Sequence, residues 1–485
     1  MSSVLESDRV ATSTDGRLLI AGSWQGAADG ATYALFDPSS GAAAGRVADA
    51  GVADVERAVE AAHGAASRGP WARLDALERS RVFWRIGDLV LDNAERLAAL
   101  EATDSGRPIS VVRSIDVPLA ARFFQLLSSW CAMQGMAADG DGTARTAHGC
   151  AGVVALVHGV ELPLLQHAWH AAAALAAGAS AVVLLAEEAP LSALLLGELV
   201  QQAGVPDGAL NLLTSARADT LESLVRHPDV LRVQFCGDAR HGRAVALAAA
   251  DVLKPAGVDI AGLSPEVICA DADLDAACHG AANALFLAST QGRDADVELH
   301  VEHSVLDEVL VRIGELAGEL EAGPALAPST RLGPLASAAQ LARFRAQTAT
   351  ARANGWPVLG GETGPAGGYG VQPTLVVVDE ADEAGLTARA ANRIVHVHSF
   401  ERATLEAQLR ARRRRIDTLG VWTRDDAYAR RLAGVTGAAT SRLNFVPGNR
   451  FRELCDFYTR NRFPDHALVA AANSGVRRQT VMGGR

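Results

Sequence analysis

The sequence predicts an α/β protein with a doubly wound parallel sheet and a second α/β domain behind it. Three observations carry this. Short, almost uninterrupted apolar runs alternate with helical-period segments between residues 151 and 253, the pattern of strands buried on both faces and joined by helices. The same style returns over residues 262–440. The chain is 485 residues long and 49% hydrophobic, enough to bury two or three cores rather than one.

Taken in order, residues 17–50 read as short strands around a turn marked by Asp37-Pro38 and Gly41. From Val52 the period becomes helical, with Val55, Ala58, Val59 and Ala62 on one face. A second helix is expected over 76–100, followed by a Gly106-Arg107-Pro108 stop. Then come strand AGVVALVHG, a helix closing at Gly178, strand ASAVVLLA, a helix closing at Gly204, strands ALNLLTS and VLRVQFCG, and a helix over 240–253. In the second half, EVICADADL leads to helices over 275–288, 304–322 and 336–354 and to GVWTRDD near 420. The Gly-rich stretch 360–370 reads as a loop. The Arg412–Arg415 run reads as a solvated helix end, where cations complement the dipole.

Composition narrows the function classes. A formal charge of −11 with no long basic stripe argues against nucleic acid as a partner. The six cysteines are scattered with no Cys-x-x-Cys pair, which predicts free thiols, no metal centre and a reducing compartment. No signal pattern opens the chain and no apolar run has the strength of a membrane span, so the expectation is a cytoplasmic protein. Lys254 is the single lysine; chemistry that needs a lysine elsewhere must do without it.

Several segments together resemble the aldehyde dehydrogenase superfamily. LLIAGSW…FDPSSGAAAGRVADAGVADVERAVEAAHGA is similar to the family's opening, and ALEATDSGRPI to its Asp-x-Gly-Lys-Pro turn, with Arg107 for lysine. GVVALVHGVELPLLQHAWHAAAALAAGASAVVLLAEEAPLSALLLGELVQQAGVPDGALNLLT is similar to its cofactor-domain core. VQFCGDARHGR resembles the turn that holds the cofactor phosphates. VICADADLDAA, GVWTRD and RRLAGVTGAATSRLNF resemble parts of its catalytic domain, so the likeness runs over about residues 17–445. It implies a Rossmann-like cofactor-binding domain over 1–135 and 150–261 and a catalytic-type domain over 262–450. It also implies a small oligomerisation element from 136–149 and 451–485.

The resemblance also implies a chemistry: a thiolate nucleophile, amide donors for an oxyanion, a carboxylate base and a nicotinamide cofactor. Each implied position is altered here. The nucleophile's place, after Gln291, falls at Arg293, and no cysteine occurs anywhere from 279 to 454; a guanidinium has no lone pair to offer. Glu161 of GVELPL stands where the oxyanion-holding asparagine belongs, and a carboxylate repels a developing oxyanion. Asp259 of DIAGLSP stands for the deacylating glutamate. For the cofactor, Leu184 replaces the ribose-binding lysine, and Arg389 falls at the second ribose contact. Gly237 and Gly242 remain in the phosphate turn, but Asp238 brings a negative charge to a helix N-terminus that should meet phosphate.

The expectation is a cysteine-lacking pseudoenzyme: a structural or regulatory subunit that pairs with an active NAD(P)-dependent aldehyde dehydrogenase or self-associates. No cofactor is expected, the NAD(P) cleft being vestigial. Two alternatives stand beside it. One is an oxidoreductase of the family with an atypical site and Cys236 or Cys278 as a relocated nucleophile. The other is a ligand-binding or hydrolytic protein using a polar cleft of His158, Glu161, Asp259 and Arg293.

Overall fold

A computed structural model describes residues 16–138, 152–260, 262–288, 296–361, 368–378, 393–411, 416–438 and 440–444. The expected bridging segments 136–149 and 451–485 lie almost wholly outside the described residues, as do Arg293, Arg389 and Arg412–Arg415.

The chain opens with β1 (Leu18–Ile20), β2 (Ser23–Gln25), β3 (Thr32–Phe36) and β4 (Ala43–Ala48). The antiparallel pair β3–β4 forms its own small sheet. Helices α1 (Val52–Ser67), α2 (Pro70–Arg73), α3 (Ala76–Asp92), α4 (Ala94–Ser105), α5 (Ile109–Val111) and α6 (Val117–Ala138) follow. Periodicity alone predicts one helix over 76–100, but the structure breaks it at Asn93. The Asn93 carboxamide donates to the Leu89 carbonyl at 2.9 Å, competing with the helix ladder in a way that apolar spacing does not reveal. The start of α3 is set by a capping box: Asp75 accepts from the Glu78 N–H at 2.7 Å, and Glu78 from the Asp75 N–H at 3.1 Å.

The first large sheet combines β5 (Val153–His158), β6 (Ser180–Leu184), β7 (Leu210–Leu213), β8 (Val230–Gly237) and β9 (Ala256–Ile260) with β1 and β2, in the order β2-β1-β7-β6-β5-β8-β9. Strands β5 to β9 are parallel; β1 joins β7 antiparallel. Helices α7 (Pro163–Ala176), α8 (Leu191–Gln202), α9 (Ala218–Arg226) and α10 (Ala239–Asp251) connect them. Every residue of β5, β6 and β7 is buried, which is why these strands read as unbroken apolar runs. Strand order reverses between β5 and β8, so the crevice at their carboxyl ends is the topological switch point where doubly wound sheets bind ligands.

The second large sheet has the order β12-β13-β14-β11-β10-β15-β16, from β10 (Leu263–Ile268), β11 (Asp296–Glu302), β12 (Val358–Leu359), β13 (Thr374–Val378), β14 (Ile394–Phe400), β15 (Thr418–Trp422) and β16 (Thr440–Leu443). It carries α11 (Leu274–Ala282), α12 (Leu306–Gly318), α13 (Ala338–Ala353), α14 (Leu405–Ala411) and α15 (Asp426–Thr436). The helix expected over 275–288 continues past α11 as a π-helical turn over Asn283–Ala288, and the one expected over 304–322 is shorter, starting after a 3-10 turn at His303–Val305. Among the described residues, no helix is long and apolar enough to cross a membrane.

Three carboxylates with no exposure to speak of brace the first half. Glu101, on α4, accepts from the Leu164 N–H of α7 at 3.2 Å and from the Ser192 hydroxyl of α8. Asp104 accepts from the Leu191 N–H at 2.7 Å. Asp116 pairs with the Arg107 guanidinium at 2.7 Å, both side chains being buried. Removing one partner of a buried ion pair is strongly destabilising, by about 3–5 kcal/mol. Asp116→Ala is therefore expected to destabilise the protein by about 3–5 kcal/mol in denaturant unfolding; a loss below about 1 kcal/mol, the level of an exposed pair, would mean that water reaches Arg107.

Candidate functional site

At the switch point three parallel strands end side by side, with His158 of β5 opposite Cys236 of β8, and Cys236 opposite Asp259 of β9. The chain leaves β5 through Gly159, whose N–H donates to the Cys236 carbonyl at 2.7 Å. A Cβ on Gly159 would meet the Gly237 Cα at 2.8 Å, and a Cβ on Gly237 would meet the Phe235 ring at 2.9 Å. These glycines leave a backbone-lined floor. A Cβ on Gly242 would press within 2.8 Å of Ile260, so this glycine lets α10 lie close to β9. That division of labour, one glycine for backbone approach and one for helix–strand packing, is the one a dinucleotide fold needs.

The turn between β5 and α7 holds Glu161. Its carbonyl accepts from the Gln166 side chain, and its carboxylate lies against Gly159, where an added Cβ would come within 2.8 Å of the Glu161 Oε2. The next residue, Leu162, sits at φ 53° and ψ 55°, a left-handed conformation that is strained for a leucine and is kept only where its surroundings enforce it. Pro163 at the first helical position and the Glu101 carboxylate on the Leu164 N–H supply that enforcement.

Behind the turn three histidines are buried. His158 Nε2 lies 3.2 Å from His170 Nδ1, and the His167 ring stands edge-on to His158 at 5.7 Å between centroids. Burial drives the His158 pKa well below its ordinary value, with His170 and His167 adding to the effect, and burial takes His167 down to about 3. His158 and His167 therefore pack as neutral rings near pH 7, which removes His158 as a general acid. Among the described residues no cluster of histidine, cysteine or carboxylate side chains has the arrangement of a metal site.

Asp238 caps α10. Its Oδ1 accepts from the N–H groups of Arg240 at 2.8 Å and His241 at 3.0 Å, and its Oδ2 meets His241 Nδ1 at 2.5 Å. These amides are the ones that a helix N-terminus offers to a phosphate. Burial raises the Asp238 pKa, but the bonds from the His241 side chain and backbone outweigh it and bring the pKa to about 2. Leu184, the last residue of β6, is 6% exposed and packs into the core cluster on the α1 side of the sheet, with Val157 and Phe235.

Sequence reasoning missed Glu187 and Glu188, in the turn after β6. Partial burial raises the Glu187 pKa, the charges of Glu188 and Asp49 raise it further, and His241 across the cleft pulls it down. An acidic residue just past the strand beside the switch point is the group that accepts from a ribose diol in dinucleotide folds; the signal was the acidic pair directly after a buried strand. Cys236 and Cys278 are each 1% exposed, and burial pushes the Cys278 thiol up to about 12. Cys278 is thus no ready thiolate, and Cys236 offers almost no surface to a substrate.

Comparison with known proteins agrees with this geometry. The family model described as “Aldehyde dehydrogenase family” matches residues 24–444. The mitochondrial benzaldehyde dehydrogenase of Antirrhinum majus is 34% identical over 74% of this chain and 68% of its own. The 2-hydroxymuconic semialdehyde dehydrogenase of Pseudomonas sp. (strain CF600) is 31% identical over 86% and 88%. Among solved structures, an indole-3-acetaldehyde dehydrogenase variant from P. syringae, in complex with NAD+ and IAA, superposes with a TM-score of 0.81 at 29% identity, covering 91% of each chain. The NAD+ complex of an aldehyde dehydrogenase from Bacillus cereus gives 0.80 at 26% identity, covering 89% of this chain and 88% of its own. These NAD+ complexes overturn the expectation that no cofactor belongs here. That expectation counted lost side chains, Leu184 and Asp238 above all, while most of the cradle is backbone and glycine.

The Asp238–His241 contact has a titration signature. Asp238 titrates at about 2 in the folded chain, below the ~3.9 of an unfolded aspartate, so its contribution is present above about pH 4 and is lost as the pH falls toward 2. His241 is raised above 6.5, first by the bond to Asp238, so its share is present below that value and is lost as the pH rises through the raised one. Asp238→Asn is expected to return the His241 imidazole titration, followed by NMR, toward its ordinary value; an unmoved midpoint would show that the two side chains do not meet in solution.

Proposed function

This chain belongs to the aldehyde dehydrogenase family, and on that premise we propose that it is a member without thiol chemistry, serving as a non-catalytic subunit that pairs with an active NAD(P)-dependent aldehyde dehydrogenase or with itself. The observation that carries this reading is the absence of any cysteine from 279 to 454, with Arg293 at the nucleophile's place. The four cysteines among the described residues are buried.

The cleft itself fits a dinucleotide. Gly159 and Gly237 leave room that a Cβ would fill, Glu187 stands beside the switch point for ribose hydroxyls, and the first amides of α10 face the same crevice once the Asp238 carboxylate turns aside. A bound nicotinamide supplies a hydride acceptor. What the chain's own residues lack is the partner for it. Glu161 presents negative charge where an acyl-transfer oxyanion needs donors. Asp259, at the end of β9, keeps a carboxylate that is able to accept a proton from water, but with no acyl-enzyme to attack that proton transfer leads nowhere. The named activities of the relatives favour a second reading, an aldehyde oxidation with NAD that uses a different nucleophile.

One assay separates the two readings. The purified full chain is incubated with NAD and short, long and aromatic aldehydes, and the ultraviolet absorbance of reduced nicotinamide is followed. No turnover is expected; turnover that tracks the protein would establish the second reading. Arg293→Cys alone is expected to gain little, because Glu161 still faces the oxyanion. Adding Glu161→Asn is expected to raise that rate by about 10²–10³-fold, the worth of one oxyanion donor. NAD at about 100 times its Kd is expected to stabilise the fold by about 2.7 kcal/mol in thermal unfolding, an effect that Glu187→Ala reduces. Co-purification from native extract with an active aldehyde dehydrogenase, or a homo-oligomer, is the expected assembly; a strict monomer would count against the subunit role.

A further inference from the structure

The outer face of α3 carries an apolar stripe that none of the described residues covers. Leu77, Trp84 and Leu91 are 53%, 51% and 45% exposed. They stand seven residues apart, so they fall in line along one side of the helix at steps of about 10.5 Å. On the neighbouring α6, Leu126 and Met133 are 46% and 68% exposed and extend the apolar surface sideways. The buried side of α3 is fully engaged with α6, as in the Ser80–Ser128 hydroxyl contact at 3.0 Å, so the stripe is left over after the helix pair has packed.

Two exposed charges flank the stripe on the side away from α6: Arg81 and Asp88. Neither makes an ion pair among the described residues, whereas Arg79 and Arg85 of the same helix are committed to backbone carbonyls, those of Leu74 and Ala203 among them. The three apolar positions are self-complementary under a two-fold axis through Trp84, and the two charges are so to within one residue. An antiparallel copy of the helix places Leu77 opposite Leu91 and Trp84 opposite its own copy, and brings Arg81 within one residue, about 1.5 Å along the axis, of Asp88 on the same flank, since a two-fold perpendicular to both helices returns each flank to itself.

We propose that this face is a site of two-fold self-association, in which α3 packs antiparallel against α3 of a second copy, with paired Arg81–Asp88 bridges closing one edge. The proposal does not depend on whether the chain turns over substrate. The seam is about 25 Å long and about 10 Å wide, well under the roughly 800 Å² per partner of a standard interface. Alone it therefore supports association in the micromolar range, or it joins assemblies already formed through another surface.

Sedimentation velocity on the full chain, over a series from about 1 to about 100 µM, tests this. The wild type is expected to show a concentration-dependent association step. Trp84→Glu and Arg81→Asp should each abolish that step, and Arg81→Asp combined with Asp88→Arg should restore it. Circular dichroism melts confirm that each variant folds; were Trp84→Glu to unfold, the charge reversal and its rescue still decide. A step that survives both single variants, or a charge swap that restores nothing, overturns the proposal. A wild type of constant mass throughout also overturns it and leaves the stripe to another occupant.

Discussion

Two buried carboxylates on one helix hold the rest of the first domain in place. Glu101 and Asp104, neither measurably exposed, take backbone N–H groups at the starts of α7 and α8. Those helices leave β5 and β6, so a single short helix, α4, fixes the turns at the carboxyl ends of both strands. The arrangement is electrostatically sensible, because a helix N-terminus carries partial positive charge and unsatisfied donors. It also has a cost. Burial raises the Glu101 pKa to about 7, with Asp116 adding to the rise, and burial together with Glu101 holds that of Asp104 well above its ordinary value. The donors and the Arg107–Asp116 pair beside them hold the cluster together against that cost.

Because these braces end on backbone amides, they do not depend on the side chains of the turns they position. This explains how a turn can carry Glu161 and a left-handed Leu162, and a strand can end in Leu184, with the sheet order and the strand register intact. The cleft's shape comes from glycine contacts and helix starts; its reactivity would come from side chains. The two are separable in physical terms: glycines and helix starts make the floor, while Glu161 and Glu187 stand on the walls, with the buried His158 and His167 behind them.

The same separation decides what was legible in sequence. Both sheets could be read because strands buried on two faces leave unbroken apolar runs, and Gly178 and Gly204, each at positive φ, end helices where a side chain would be strained. The break at Asn93 escaped because it rests on one side-chain hydrogen bond rather than on spacing. Glu161, Asp259, Gly237, Asp238 and Gly242 fall together around the switch point, as motif spacing implied. Leu184 ends β6 beside them, but its side chain is packed in the core. Glu187 escaped because it lies three residues past β6, in a turn whose apolar spacing carries no signal, and the inference that no cofactor binds failed because a cradle of backbone and glycine leaves no side-chain signature.

The exposed stripe on α3 and the cleft at the strand ends are built from different elements, and this bears on how each tolerates change. A cleft tolerates substitutions of its side chains as long as the braces beneath it hold; an interface is made of side chains and has no comparable brace. A tryptophan and two leucines left in water at seven-residue spacing cost solubility and contribute nothing to the core of their own chain, where Phe83, Ile86 and Val90 already fill the inner face of the same helix. The neighbouring Arg81 and Asp88 sharpen the point. A surface that only needed to stay soluble would be served by any charge at either position, whereas two-fold pairing requires opposite charges spaced to meet across the axis. That requirement links the sequence of α3 to association rather than to folding, on a face built apart from the cleft.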